Sequence, residues 1–245
     1  MKLLLLFIFF FPLISSTLDS SDKKRSYLGN WPINVNIEKK IPDMNITCPG
    51  EIGCECENNF ECENNNCEKL PRNMYCIPKD GDSFPNFKAV DQYGEIVSIY
   101  DFSKQGKYIL LEMGATWCSP CHLLANWLTY NDQEISNKRF WKDEYQLIYD
   151  LVHNDEIYFI TILYEDDDRN NATYETLYDW FSIYPDEKIP ILADSEKFLH
   201  TWIKPTGLPA VLLLDEDLKI QTFSSRGINK AFDEVINIYT KTNEE

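Results

Sequence analysis

Leu110-Leu111-Glu112-Met113-Gly114-Ala115-Thr116-Trp117-Cys118-Ser119-Pro120-Cys121 is the stretch that decides how this chain folds. An apolar run of strand length ends, a short turn follows, and the pair Cys118-x-x-Cys121 opens a helix. That placement has direct chemical consequences. A cysteine at a helix N-terminus meets unpaired backbone N–H groups and the positive end of the macrodipole, which favour its thiolate. The second cysteine, one turn in, is close enough to close a disulfide and is better shielded. Pro120 is tolerated in the first turn, where a missing N–H costs little. Cys118 is therefore the candidate nucleophile, and Cys121 the candidate thiol that resolves a mixed disulfide.

Working outward, residues 84–90, 95–99, 108–113, 157–163, 189–193, 211–214 and 219–223 read as strands. They are short, β-branched or aromatic, and bounded by turn residues. Asp91-Gln92-Tyr93-Gly94 turns the first pair and Asp215-Glu216-Asp217 the last. Helices are predicted near 119–130, 173–182, 195–202 and 229–240. An amphipathic helix is expected near 140–151, inside the long interval 131–155. Strands alternating with helices indicate an α/β sheet, and the two hairpins make it mixed. No internal repeat is present.

The N-terminal part has a different texture. Met1-Lys2 precedes an apolar run over residues 3–14, and Ser15, Ser16 and Thr17 follow. One positive residue, a short apolar run and small residues predict a secretory signal peptide over 1–17. The run has 12 residues, against roughly 20 needed to span a bilayer. No cysteine lies near the cleavage region, which argues against a lipid anchor, and no other segment is apolar for long enough to cross a membrane. Export implies an oxidising compartment, either periplasm or extracellular space. Asn45-Ile46-Thr47 and Asn171-Ala172-Thr173 are sequons that matter only in a eukaryotic secretory pathway. Residues 18–47 read as a linker, with 31–37 packed on a neighbour.

Six cysteines fall within residues 48–76: Cys48, Cys54, Cys56, Cys62, Cys67 and Cys76. Almost no apolar residues lie between them, so this segment needs cross-links in place of a core. A disulfide-stapled module over 48–80 is the reading, with the pairing open, since six cysteines allow 15 connectivities. Zinc binding competes with it, but histidine is absent here and export would oxidise the thiols.

Over the whole chain, Asp and Glu number 40 against 23 Lys and Arg, a net charge of -17. Nothing in that balance neutralises phosphates, so nucleic acid is excluded as the main partner, and an anionic membrane surface is disfavoured.

Trp117-Cys118-Ser119-Pro120-Cys121 after a strand resembles the active site of the thioredoxin superfamily. The longer context resembles its exported TlpA-like, redoxin-type branch, whose Gly-Asp-x-x-Pro-x-Phe entry is matched by Gly81-Asp82-Ser83-Phe84-Pro85-Asn86-Phe87. The resemblance covers residues 81 to about 240 and leaves out the cysteine-rich segment. It implies a thioredoxin-like mixed β-sheet flanked by helices over 81–241, preceded by the small disulfide-rich module. It further implies a thiol–disulfide oxidoreductase acting on protein disulfides or dithiols and recycled by a second redox protein. No bound cofactor or metal is needed, because the electrons reside in the two sulfurs. Glu112, six residues before Cys118, falls where thioredoxin keeps a buried acid, and would accept the proton from Cys121. Many TlpA-like proteins lack an acid there. Gly207-Leu208-Pro209-Ala210 fits the family's cis-proline loop, in which Pro209 shapes the substrate groove and Leu208 contacts substrate, as would Trp117, Ser119 and Pro120. Cys121 and Pro209 are 88 positions apart, longer than in a compact thioredoxin, and the insertion falls in 131–155.

Three other readings compete. Cys118-Ser119-Pro120-Cys121-His122 is also a c-type haem attachment pattern with His122 as axial ligand, the plainer reading of His122 being a helix-surface residue. A peroxiredoxin-type peroxidase would place its threonine three residues before the reactive cysteine, whereas Thr116 is two before Cys118. A non-enzymatic binding protein on a thioredoxin-like scaffold would make the cysteine-rich module the working part. Finally, Glu165-Asp166-Asp167-Asp168 follows a predicted strand, and if that strand runs parallel to 108–113 this acidic loop shares an edge with Cys118.

Overall fold

A computed structural model describes residues 26–34 and 43–241 of the chain. The signal-peptide reading of 1–17 and linker residues 18–25 and 35–42 lie outside the described residues. In chain order the elements are β1 (Cys67–Lys69), β2 (Met74–Cys76), β3 (Lys88–Val90), β4 (Ile96–Ser98), β5 (Ile109–Gly114), α1 (Ser119–Tyr130), α2 (Gln146–His153), β6 (Tyr158–Leu163), α3 (Tyr174–Ile183), β7 (Ile191–Ala193), α4 (Phe198–Ile203), β8 (Ala210–Leu214), β9 (Ile220–Thr222) and α5 (Asn229–Lys241).

All six residues of β5 are buried. A strand covered on both faces reads as a continuous apolar run with no alternation, which is what its sequence shows. It pairs with β6 in parallel and with β8 antiparallel, inside a five-stranded sheet of order β7-β6-β5-β8-β9. Leu110, Phe159 and Val211 face a layer built by Leu124 and Trp127 of α1, Ile148 of α2 and Phe232 of α5. Leu111, Met113 and Ile160 face the opposite layer, with Leu177 and Trp180 of α3 and Leu199 and Trp202 of α4. The crossover from β5 through α1 and α2 to a parallel β6, followed by the β8–β9 hairpin and α5, is the arrangement of the thioredoxin fold. The expectation of a mixed sheet between helices holds.

Three details differ from the sequence reading. The first hairpin, β3–β4, is a separate two-stranded sheet, joined to the large one in backbone pairing by the isolated bridge Asp91–Leu192. Gln92 explains the break. Its side-chain amide donates to Ile189 O at 3.0 Å and accepts from Ile191 N at 2.9 Å, so it satisfies the β7 edge where a strand would otherwise pair. The insertion helix begins only at Gln146, because residues 133–145 are used in two tight 3-10 turns, Gln133–Asn137 and Asp143–Tyr145. The helix predicted from 195 starts at Phe198, after Asp194 has turned back to accept from His200 N at 2.7 Å.

Cross-links hold the cysteine-rich segment: Cys48–Cys54, Cys56–Cys67 and Cys62–Cys76, with Cα separations of 5.6, 6.1 and 5.5 Å. It packs against α4, where Lys204 Nζ lies 4.3 Å from the Tyr75 ring centre. A side chain at Gly53 would meet Thr201 O at 2.8 Å, so only glycine permits that approach. Upstream, Tyr27 and Trp31 are buried against the core. Trp31 Nε1 donates to Asp91 Oδ2 at 2.8 Å, and Asp91 Oδ1 accepts the backbone N–H groups of Tyr93 and Glu95, each at 2.9 Å. Asp91 is fully buried and joins the N-terminal segment to the hairpin turn. Asp91→Ala leaves three donors without this acceptor and is expected to cost about 2–4 kcal/mol in urea unfolding. Trp31→Phe removes one of those bonds and is expected to cost about 1 kcal/mol.

Candidate active site

Cys118 closes the turn at the C-terminal end of β5 and caps α1. Its backbone is extended (φ -88°, ψ 100°), and its Sγ accepts the Cys121 N–H at 3.2 Å. The two sulfurs are joined in a disulfide with a Cα separation of 5.3 Å. What exposure the pair has belongs to Cys118, at 3% against 0% for Cys121. Ser119 and Pro120, in the first turn of α1, are exposed beside Cys118.

β6 runs parallel to β5, so the acidic loop at its end does reach the cysteine turn. There it acts as a clamp. Thr116 N donates to Glu165 O at 3.1 Å and Thr116 Oγ1 to Asp167 Oδ1 at 2.7 Å. Trp117 Nε1 donates to Glu165 Oε2 at 2.9 Å, while the Arg169 guanidinium lies 4.2 Å from the Trp117 ring centre. Lys197 Nζ is 2.7 Å from Glu165 Oε1. Burial alone would raise the Glu165 carboxyl. The hydrogen bonds from Lys197 and Trp117 and the charges of Lys197 and Arg169 outweigh burial and hold it below the usual carboxylate range. The negative charge of the loop is thus partly compensated where it meets the turn.

His122 is more than a helix-surface residue. Its Nε2 is hydrogen-bonded with Thr116 O, its Nδ1 lies 2.7 Å from Tyr184 Oη, and its ring packs 4.6 Å from that of Trp180. With both ring nitrogens engaged, it ties α1 to the turn and to α3. Axial ligation of a haem would require it to give up one of these bonds. The sequence hid this role because Trp180 and Tyr184 lie about 60 residues downstream.

Glu112 is buried in mid-strand, paired in register with Thr161 on one side and Val211 on the other. Thr161 Oγ1 donates to Glu112 Oε2 at 3.1 Å, and Oε1 has no hydrogen-bond partner among the described residues. Burial pushes the carboxyl up to about 8, against a smaller opposing pull from the Thr161 hydroxyl. A Cβ at Gly114 would sit 3.4 Å from both Glu112 Oε1 and Cys121 Sγ, so the bare glycine leaves a gap that both atoms face.

Leu208–Pro209 is cis. Pro209 O accepts from Gly227 N at 2.6 Å, whereas the N–H and C=O of Leu208 have no backbone partner among the described residues. Pro120, Leu208 and Pro209 line one cavity of about 400 Å³. The structure thus gathers Cys118, Cys121, Ser119, Pro120, Leu208 and Pro209 at one edge, with Trp117 turned toward the acidic loop and Glu112 beneath. Cys56, Cys62 and Cys67 bring their sulfurs within 4.8 Å of one another, but each is held in a disulfide and offers no thiolate to a metal.

No protein-family model matches the chain, and no curated protein matches it. Among solved structures it is similar to a putative protein disulfide isomerase of Bacteroides thetaiotaomicron, at 15% identity and a TM-score of 0.47, over 69% of this chain and 92% of the other. It is also similar to the thioredoxin domain of a thiol-disulfide oxidoreductase of Bacteroides vulgatus (19%, TM-score 0.43, 67% and 98%). A third is a secreted disulfide oxidoreductase of Mycobacterium tuberculosis (18%, TM-score 0.41, 62% and 92%). At these values the fold assignment rests on strand order and on where the cysteines fall.

The raised Glu112 carboxyl makes stability depend on pH. The unfolded chain releases this proton near 4.5, while the folded chain keeps it until about 8. Between those values the unfolded state binds fewer protons, so the Glu112 contribution falls as pH rises and is fully lost above the folded value. Thermal melts at pH 5 and pH 8 are expected to show a smaller drop for Glu112→Gln than for the parent. The difference should approach roughly 3–5 kcal/mol at the upper limit.

Proposed function

We propose that this chain is an exported thiol–disulfide oxidoreductase that acts on protein disulfides and dithiols through Cys118 and Cys121. One observation carries the reading: a disulfide at the N-terminus of α1, Cys118 being its less buried member, on a helix whose first turn shares with Leu208 and Pro209 the lining of one cavity. An extended segment of a partner pairs with the free backbone edge at Leu208, which brings its sulfur to Cys118.

In the reducing direction, the Cys118 thiolate attacks a substrate disulfide, and one substrate sulfur leaves as a thiolate. A Cys118–substrate disulfide results. Cys121 then loses its proton and attacks Cys118 Sγ, which releases the second substrate thiolate and forms the Cys118–Cys121 disulfide seen here. The substrate gains two electrons and the chain loses two, which a recycling dithiol protein restores. The reverse sequence oxidises a substrate dithiol. The N–H of Cys121, which points at Cys118 Sγ, stabilises negative charge there. Glu112 takes the Cys121 proton across the gap at Gly114 once it has lost its own, so resolution speeds up as pH rises toward about 8.

Export is supported by the apolar leader and by six paired cysteines, which persist in an oxidising compartment. No helix among the described residues is long and apolar enough to cross a membrane.

Equilibration in thiol buffers, read by alkylation and mass, is expected to show one two-electron step at Cys118 and Cys121. Cys118→Ala should lower exchange with a peptide disulfide by about a hundredfold or more. Cys121→Ala should accumulate the mixed disulfide at Cys118. Absence of a two-electron step at this pair defeats the reading. Gly114→Ala, which fills the gap at ordinary contact distance, is expected to slow the resolving step several-fold and to leave formation of the mixed disulfide nearly unchanged. Stopped-flow measurement of the two phases checks this.

A further inference from the structure

We propose that the cavity between α1 and the Leu208–Pro209 loop is a side-chain subsite, and that it selects partner segments carrying a large apolar residue next to an acidic one. This rests on the thiol-exchange reading above and names the substrate class for that site.

The cavity has an apolar wall made by Pro120, Leu124, Ile135, Phe140 and Leu208, and Arg226 is the one charged residue that lines it. Ile135 and Phe140 come from the insertion after α1, which builds a wall here rather than merely lengthening the chain. That wall is braced. Asn229 Nδ2 donates to Phe140 O at 2.6 Å and to Tyr145 Oη at 2.7 Å, so the insertion is fastened to the start of α5. A preformed apolar cavity at the first turn of the helix that Cys118 caps takes a bulky side chain without the cost of ordering its own walls.

Arg226 supplies the polar half of the selection. It is exposed, and it forms no ion pair among the described residues. Its side chain lies across Gly207, where an added Cβ would meet Cδ and Nε at 2.8 Å. Its backbone is held by Ser224, whose hydroxyl donates to Arg226 O at 2.6 Å. In a chain of net charge -17, a basic residue left without an acidic partner at the mouth of an apolar cavity is a recognition element for a carboxylate. The other flank of the cysteine turn has the opposite character. Asp166, Asp167 and Asp168 lie there beside Thr116 and His122. A segment laid along Leu208 with its acidic residue toward Arg226 is attracted, and one laid with that residue toward Asp166–Asp168 is repelled. The two flanks together fix partner charge and register.

The test uses the full chain, its Cys118–Cys121 disulfide first reduced to two thiols by a dithiol that is then removed, and synthetic peptides, each with one cysteine activated as a mixed disulfide whose leaving thiol reports the attack. A leucine adjoins the cysteine, with Asp, Asn or Lys next to it, on either the N-terminal or the C-terminal side. Mixed-disulfide formation is expected to be fastest for Asp and slowest for Lys on one side. The spread should be about threefold per charge step, the size of one exposed ion pair, and should shrink in 0.5 M salt. Arg226→Gln should bring the Asp-to-Lys ratio close to one, Arg226→Glu should invert it, and Arg226→Lys should keep most of it. Phe140→Ala should reduce the advantage of leucine over alanine beside the cysteine. A parent ratio of one on both sides, or a ratio unchanged in Arg226→Gln and Arg226→Glu, overturns the subsite while leaving thiol exchange standing. Failure of the parent to exchange with any of the peptides overturns the thiol-exchange reading itself.

Discussion

β5 is covered on both faces and hydrogen-bonded along both edges, and most of the molecule is arranged to keep it so. A strand in that position has no freedom to slip, because a shift of one residue would exchange the side chains facing the two apolar layers. Its end is therefore fixed in space, and with it the turn that delivers Cys118 to the tip of α1. The same constraint puts Glu112 in the interior. A carboxyl at an even position of this strand has to share a packed layer with Leu110, and it stays there at the cost of holding its proton well above the usual range.

Around that fixed point the two flanks of the site are built from distant parts of the chain. One flank is the end of β6, whose loop grips Thr116 and Trp117 by hydrogen bonds and by the Arg169 stack. The other is the loop before β8, walled by the insertion that follows α1. The first flank orders the turn and carries the negative charge. The second offers unpaired backbone, apolar surface and a single arginine. In the proposed reading, such unequal sides distinguish the two ends of a partner segment laid across the site.

The cysteine-rich segment solves a separate problem. With few apolar residues of its own, it is held by three short cross-links and by contact with α4. Cross-linking removes conformations from the unfolded chain, so the segment stays folded without a core.

Much of this was legible in the residues themselves. The run through 110–113, the turn and the cysteine pair specify strand, turn and helix start through burial pattern and helix-end chemistry, which act over a few residues. The positions of most strands and helices, the mixed sheet and the acidic loop's place beside Cys118 follow from the same local signals and from parallel pairing. The detachment of the first hairpin was not legible. It depends on Gln92 reaching Ile189 and Ile191, almost a hundred residues away. The engagement of His122 with Tyr184, the docking of Trp31 on Asp91, the gap shared by Glu112 and Cys121, and the placing of Arg226 against Gly207 were equally hidden. Sequence by itself determined which segments would be buried and where helices could start, because those are properties of neighbours along the chain. Only the tertiary structure decided which side chains meet, because a hydrogen bond or a cavity wall is set by packing between segments whose separation in sequence carries no signal of their contact.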